Sequence, residues 1–269
     1  MPPRTLVIGI PLPHASFDNY SFISAPSICE YSRLIFDIQA VSQAVDEVTE
    51  GSGQHSTFDG QPVVNAETPA RAFALSGLLS MRRREAARFF DHGGTAACIA
   101  YPDARHAGIA GVDSWGRYEW LPQPAEAPYT AVLLPGFGTA GAEVTAAEHP
   151  FAQYVAELGP RLAYRACLDE AVATGATVIG RSSAGVPIAF EVKAGRGRIV
   201  FLPPVRDFAN DRARIGEVLF NCFERLEKAE PPSSAVGQGF TLPDSGDAGP
   251  ASSEQPADEA PGWMRREVG

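Results

Sequence analysis

The chain is predicted to fold as a three-layer α/β domain, with helices on both faces of an open, mostly parallel sheet that a C-terminal β-hairpin and helix close. Three observations carry this expectation. The runs 5–10, 33–38 and 95–101 are short and almost wholly apolar, as strands buried on both faces must be. An amphipathic stretch that stops at Gly93 and Gly94 leads directly into the third run, the alternation expected of a parallel α/β sheet. Residues 185–204, GVPIAFEVKAGRGRIVFLPP, then show two strand patterns about a glycine turn.

In chain order, TLVIGI at 5–10 is the opening strand, stopped by Pro11 and Pro13 and followed by a loop over 14–26. Leu34, Ile35 and Phe36 mark the second strand, which ends near Asp37. Residues 46–65 are polar and glycine-rich, which predicts a long surface loop with a small hairpin over 57–64. Thr68 followed by Pro69 is a helix start, because threonine caps free amides and proline is preset for the first turn. Phe73, Leu75, Leu78, Leu79, Ala86, Phe89 and Phe90 give that helix an apolar stripe, and Arg82, Arg83, Arg84 and Arg88 are expected on its solvated face.

The segment 102–129 is long and irregular and contains Trp115, Tyr118, Trp120 and Leu121, so it is expected to pack as a lid or a partner surface. Residues 131–134 read as a strand followed by a turn at Gly136 and Gly138. With Gly141 these glycines mimic a dinucleotide fingerprint, but Pro150 interrupts the helix that the fingerprint requires, and a turn is the preferred reading. His149 and Pro150 introduce a helix over 151–158, and 162–167 and 177–180 are further strands.

In the hairpin, Ile188, Phe190 and Val192 alternate with Ala189 and Glu191, and Ile199, Val200, Phe201 and Leu202 form the apolar second strand before Pro203 and Pro204 end it. Ile215, Val218, Leu219, Phe223 and Leu226 recur at helical spacing and give the terminal helix. The organisation is therefore a domain over 1–229 and a disordered tail over 230–269. The tail is rich in Pro, Ser, Gly and acidic residues and cannot bury enough apolar area to offset ordering entropy. It ends in GWMRREVG, where Trp263 beside Arg265 and Arg266 has the character of a docking motif.

Composition narrows the function. A net charge of −10 argues against nucleic-acid binding, since phosphates repel an acidic surface. No apolar run approaches the roughly 18 residues of a membrane span, and the first ten residues lack the regions of a secretory signal, so a cytoplasmic protein is expected. Cys29, Cys98, Cys167 and Cys222 are too scattered for a zinc motif and are expected as reduced thiols, with no cofactor and no metal. Lysine occurs only at 193 and 228, and the arginine bias fits a GC-rich bacterial genome.

The turn Gly195, Arg196, Gly197, Arg198 inside its hairpin, and the phrase RRREAARFFDHGGTAACIAY, resemble the class I glutamine amidotransferase-like superfamily and its ThuA-like branch. The resemblance covers residues 4–228 and implies a flavodoxin-like or amidotransferase-like sheet. That superfamily's catalytic cysteine would stand at a strand-to-helix elbow, where this chain has Tyr101 and Pro102. Cys98 lies three positions earlier, inside the strand, and His149 is followed by Pro150 and Phe151 instead of leading to a glutamate two residues on.

In an open parallel sheet, ligands bind beyond the carboxyl ends of the strands. The residues after each run are the candidates: His14 and Asp18, Asp37, Tyr101 with Asp103 and His106, and Arg181 with Ser182 and Ser183. His14, Asp18, Asp103 and His106 are the candidate acid-base groups, and Asp37, Tyr101, Arg181, Ser182, Ser183 and Trp263 the candidate binding groups. A turn role outweighs a nucleophile role for Ser182 and Ser183, because RSSAG lacks the first glycine of the nucleophile elbow and leads into a hairpin. Two functions follow as expectations. One is a non-catalytic binding or assembly module of a bacterial cytoplasmic complex, with a small-molecule ligand or a protein partner engaged through 102–129 or the tail. The other is a small-molecule hydrolase or ThuA-like enzyme working in the crevice.

Overall fold

The computed structural model describes residues 4–49, 54–56, 62–64, 69–103, 108–109, 116–124, 127–139 and 141–229. The expectations for the tail, for Trp115 and for His106 therefore concern positions outside the described residues. One compact unit spans Met1–Pro231. Among the described residues, no helix is long and apolar enough to cross a membrane.

The expected α/β architecture is present. Strands β1 (Thr5–Ile8), β2 (Phe17–Tyr20) and β3 (Arg33–Asp37) are followed by helix α1 (Gln39–Thr49), by the short strands β4 (Gln54–Ser56) and β5 (Pro62–Val64), and by helix α2 (Pro69–Asp91). Then come β6 (Thr95–Ile99), β7 (Gly108–Ile109), α3 (Tyr129–Val132), β8 (Leu133–Thr139), β9 (Ala142–Val144) and α4 (Ala152–Leu158). The unit finishes with β10 (Ala163–Leu168), β11 (Thr177–Ser182), β12 (Pro187–Ala194), β13 (Gly197–Leu202) and α5 (Phe208–Ala229). Eight strands join in the order β2-β1-β3-β6-β13-β12-β11-β9, parallel from β2 through β13 and antiparallel from there to β9. β8 pairs with β10 in a separate two-stranded sheet, and β4, β5 and β7 form a third.

The continuous apolarity of the central strands is explained by their two covered faces. Leu6, Ile8, Leu34, Phe36, Ala96, Cys98, Ile199 and Phe201 enter one core layer, under α1 and α2. The alternate residues Val7, Ile35, Ala97, Ile99, Val200 and Leu202 enter the other, under α4 and α5. Phe190 stacks on Phe201 across the hairpin at 5.0 Å, and burial of one such side chain contributes about 1.5–3 kcal/mol. The turn between them uses Gly195 at φ +55, as its glycines predict.

Helix α2 starts at Pro69, with the Thr68 cap outside the described residues, and ends in a paired cap, with Gly93 at φ +86 donating to the Phe90 carbonyl and Gly94 to that of Phe89. Two of its residues depart from expectation. Phe73, placed on the apolar stripe, is 68% exposed. Arg82, placed on the solvated face, is buried, and it donates to the carbonyls of Phe22, Ala25 and Pro26 and pairs with Glu85 at 2.7 Å.

Other corrections follow from pairing. The loop expected over 14–26 contains β2, a parallel edge strand that buries only Phe17 of its four residues, so its sequence carries no apolar run. The loop expected from 46 starts inside α1, whose Ala40, Val41, Ala44 and Val45 face the core. The small hairpin exists, with its strands at Gln54–Ser56 and Pro62–Val64. Residues 131–134 divide between α3 and β8, and Gly136 and Gly138 lie within β8 instead of in a turn. Tyr164 of β10 covers that glycine strip, and a Cβ on Gly138 would stand 2.6 Å from its ring.

The described aromatic residues of 102–129 do not form an outer surface. Tyr118, Trp120 and Leu121 are buried in the layer beneath α1 and α2, where Trp120 meets Phe22 and Phe36 edge-on at 5.4 and 5.1 Å.

Candidate functional site

The carboxyl ends of β1, β3, β6 and β13 and the facing sides of α4 and α5 enclose a crevice of about 230 Å³. Gly9 and Ile10 leave β1, Asp37 ends β3, Tyr101 follows β6, and Pro204 and Val205 follow β13, so the parallel topology delivers four chain segments to one place. Tyr154 from α4 and Phe208 and Ile215 from α5 form the opposite wall.

Asp37 is the carboxyl group of this crevice. It also caps α1, its Oδ1 accepting the N–H of Gln39 at 2.9 Å. Burial pushes its pKa up to about 6, against the opposing effects of the Gln39 N–H, the Arg117 charge and the Gln39 side chain. Tyr101 stands beside it, and burial, reinforced by the Asp37 charge, raises the phenol above its ordinary range. The Tyr118 hydroxyl holds the Tyr101 backbone, donating to its carbonyl at 2.5 Å. Tyr154 donates its own hydroxyl to the Pro203 carbonyl at 2.9 Å and so presents an apolar ring to the crevice.

Of the candidates read from the sequence, Asp37 and Tyr101 are brought together. Asp103 turns aside and accepts the Arg117 N–H at 2.9 Å, while the Arg117 guanidinium donates to Ser42 Oγ at 2.7 Å and to the Pro102 carbonyl at 3.1 Å. His14 and Asp18 lie at the other end of the sheet. The chain doubles back after β1, so β2 starts beside the first residue of β1, Phe17 opposite Thr5. There His14 stacks on Phe220 at 4.3 Å and its Nδ1 accepts the Ser16 N–H, while Asp18 accepts the Tyr31 hydroxyl at 3.1 Å and pairs with Arg4. A site combining His14 and Asp18 with Asp37 or Asp103 is thereby dismantled.

Arg181, Ser182 and Ser183 close β11, and β13 and β12 separate them from β6 in the sheet. Arg181 grips Glu170 through two bonds of 2.9 and 2.5 Å, and Ser182 serves the turn, its carbonyl accepting Gly185 N–H and its Oγ accepting Val186 N–H. His106 and Trp263 lie outside the described residues. Among the described residues no group of three or more His, Cys, Asp or Glu side chains gathers as metal ligands.

Cys98 faces the core layer opposite the crevice, and complete burial pushes its thiol well above the usual range. His149 donates its Nε2–H to Glu191 at 3.1 Å while its Nδ1 accepts the Phe151 N–H, so this histidine orders the entry to α4.

Sequence reasoning missed Gln39, Gln43, Tyr154 and Phe208. The first two were legible in QAVSQAV, whose apolar residues at 40, 41, 44 and 45 mark a helix beginning directly after Asp37. A second cavity of about 280 Å³ lies below the β12–β13 turn against Val132, Ala176 and Lys193, away from the strand ends where the parallel sheet converges.

No family model and no curated protein matches the chain. Solved structures similar to it include a cytoplasmic protein from Salmonella typhimurium, with a TM-score of 0.37 at 9% identity over 81% of this chain and 98% of the other. A beta-galactosidase from Rahnella sp. R3 has a TM-score of 0.39 at 9% identity, covering 84% of this chain and 31% of the enzyme. Gan42B, a GH42 beta-galactosidase, has 0.35 at 9% identity, covering 84% and 30%. The chain thus spans less than a third of the length of either beta-galactosidase.

Proposed function

We propose that the domain is a non-catalytic, amidotransferase-like binding module of a bacterial cytoplasmic complex, and that it takes a small molecule into the crevice at Asp37 and Tyr101. The observation that carries the reading is the segment after β6. Where the resemblance would place a nucleophile elbow, the chain instead turns through Tyr101 and Pro102, with the backbone of Tyr101 held by Tyr118. Cys98 and His149 support it, one facing away from the crevice and the other engaged with Glu191.

Assembly contacts would run through the tail with Trp263 or through the 102–129 segment, within which Tyr118 and Trp120 are committed to the core. Incubating the purified chain with a mixed metabolite and ester panel tests the module directly. Binding without turnover is expected, and turnover abolished by Asp37→Asn would replace the reading with an enzyme.

That second reading rests on Asp37 itself. A carboxyl group with a pKa of about 6 is tuned for acid-base exchange near neutrality, and the crevice would then serve a small-molecule hydrolase.

A further inference from the structure

We infer that the ligand of this crevice is a small primary amine, bound with its ammonium group at Asp37 and its carbon chain against α5. The inference rests on the binding-site reading above and assigns it a chemical class.

The charge pattern of the lining carries it. Asp37 is the one formally charged side chain among the described residues that line the crevice. Arg117 and Arg165 act on the site from outside the lining. Arg117 is fixed by Ser42 and Pro102, and the Arg165 guanidinium lies over the exposed Phe137 ring at 5.5 Å. An ionised carboxylate only accepts hydrogen bonds, and the lining residues Tyr101 and Gln43 each carry an oxygen able to accept another. An ammonium group has three donors and no acceptor, so its needs match this set. A carboxylate ligand meets like charge, and an alcohol adds no positive charge beyond that of Arg117 outside the lining.

Apolar side chains share the remaining lining with the backbone of Gly9 and Pro204. Ile10, Ile99, Val205, Phe208 and Ile215 contribute hydrocarbon, and Tyr154 contributes a ring whose hydroxyl is already bonded elsewhere. A short alkyl chain or a single ring fits such walls. Arg117 is the charged group that acts on Asp37, the Asp37 charge in turn raises Tyr101 and Cys98, and Arg165 acts on Tyr101. Of these partners only the two arginines carry charge near neutrality, because burial holds both the phenol and the thiol in their neutral forms.

The test uses the full-length protein and three probes of equal size: pentylamine, 1-pentanol and butanoate, followed by ligand-observed NMR and calorimetry at about pH 7.5. Pentylamine is expected to bind, to weaken at least tenfold in Asp37→Asn, and to weaken about tenfold in the native chain at about pH 5, where a carboxyl group of pKa about 6 is roughly nine-tenths protonated. Tyr101→Phe should weaken it several-fold, and the pH series decides the matter should Asp37→Asn fail to fold. Binding of pentanol or butanoate as strongly as pentylamine, or pentylamine binding indifferent to both pH and Asp37→Asn, overturns the amine assignment and leaves the crevice a binding site. Failure of all three probes overturns the assignment and the binding-site reading together.

Discussion

The phenol of Tyr118 holds the backbone of Tyr101 from both sides, donating to its carbonyl at 2.5 Å and accepting its N–H at 3.3 Å. Tyr118 is itself buried, so Tyr118→Phe leaves a backbone donor and acceptor without their partner in a place water does not readily reach. The expected loss is about 1–3 kcal/mol, the cost of an unsatisfied buried pair. Urea denaturation should show a lower midpoint at an unchanged slope. An unmoved midpoint would mean that water replaces the phenol.

Asp37 gives the stability a pH dependence of known sign. Its carboxyl group titrates at about 6 in the folded chain against an ordinary 3.8, so the fold favours the protonated acid and stability is lost as pH rises from about 4 through about 6. At about 1.4 kcal/mol per pH unit the gap sets a ceiling of about 3 kcal/mol. Asp37→Asn keeps an oxygen for the Gln39 N–H and removes the charge. Its stability relative to the native chain should therefore increase between pH 5 and pH 7.5, and a difference that stays flat over this range would show that Asp37 is solvated.

How much of this site was legible in the sequence depends on how local its causes are. Leu34, Ile35 and Phe36 announce a strand because both faces of the sheet are covered, and Asp37 follows as the residue at its carboxyl end. The same rule misleads at His14, since it holds for residues that leave a strand directly, such as Gly9 and Ile10, and not for a chain that has already returned to the opposite end. Tyr118 carries no local signal at all. Its partner is 17 residues away, and an aromatic residue in an irregular segment reads equally as surface or core until the sheet face that it covers is known.

The four cysteines should separate by burial. Cys29 is exposed, Cys167 is half-buried, and Cys98 and Cys222 are buried, the last with its thiol pushed up to about 12. A thiol reagent at about pH 7.5 should therefore modify Cys29 first and reach Cys98 and Cys222 only when the chain unfolds, because the thiolate is the reactive form. Mass mapping of the modified peptides gives the order. Rapid native labelling of Cys98 would place it in the crevice and revive a nucleophile reading.

Arg82 supplies the sharpest contrast, since its neighbours Arg83 and Arg84 belong to the same helix and the same charge run. Arg82 is buried, and its guanidinium serves the carbonyls of Phe22, Ala25 and Pro26, which lie 56–60 residues earlier, as well as Glu85. Removing it leaves the half-buried Glu85 without its cation and the turn after β2 without the donors of a buried guanidinium, a loss of about 1–3 kcal/mol. Arg83 and Arg84 are exposed, and their replacement should change stability by no more than about 0.5 kcal/mol. Arg82→Met retains most of the side-chain volume, so that the comparison isolates the lost bonds from a cavity. Parallel denaturation of Arg82→Met, Arg83→Met and Arg84→Met should leave the first far below the other two, and three equal midpoints would return Arg82 to the solvated face that its sequence neighbours suggest.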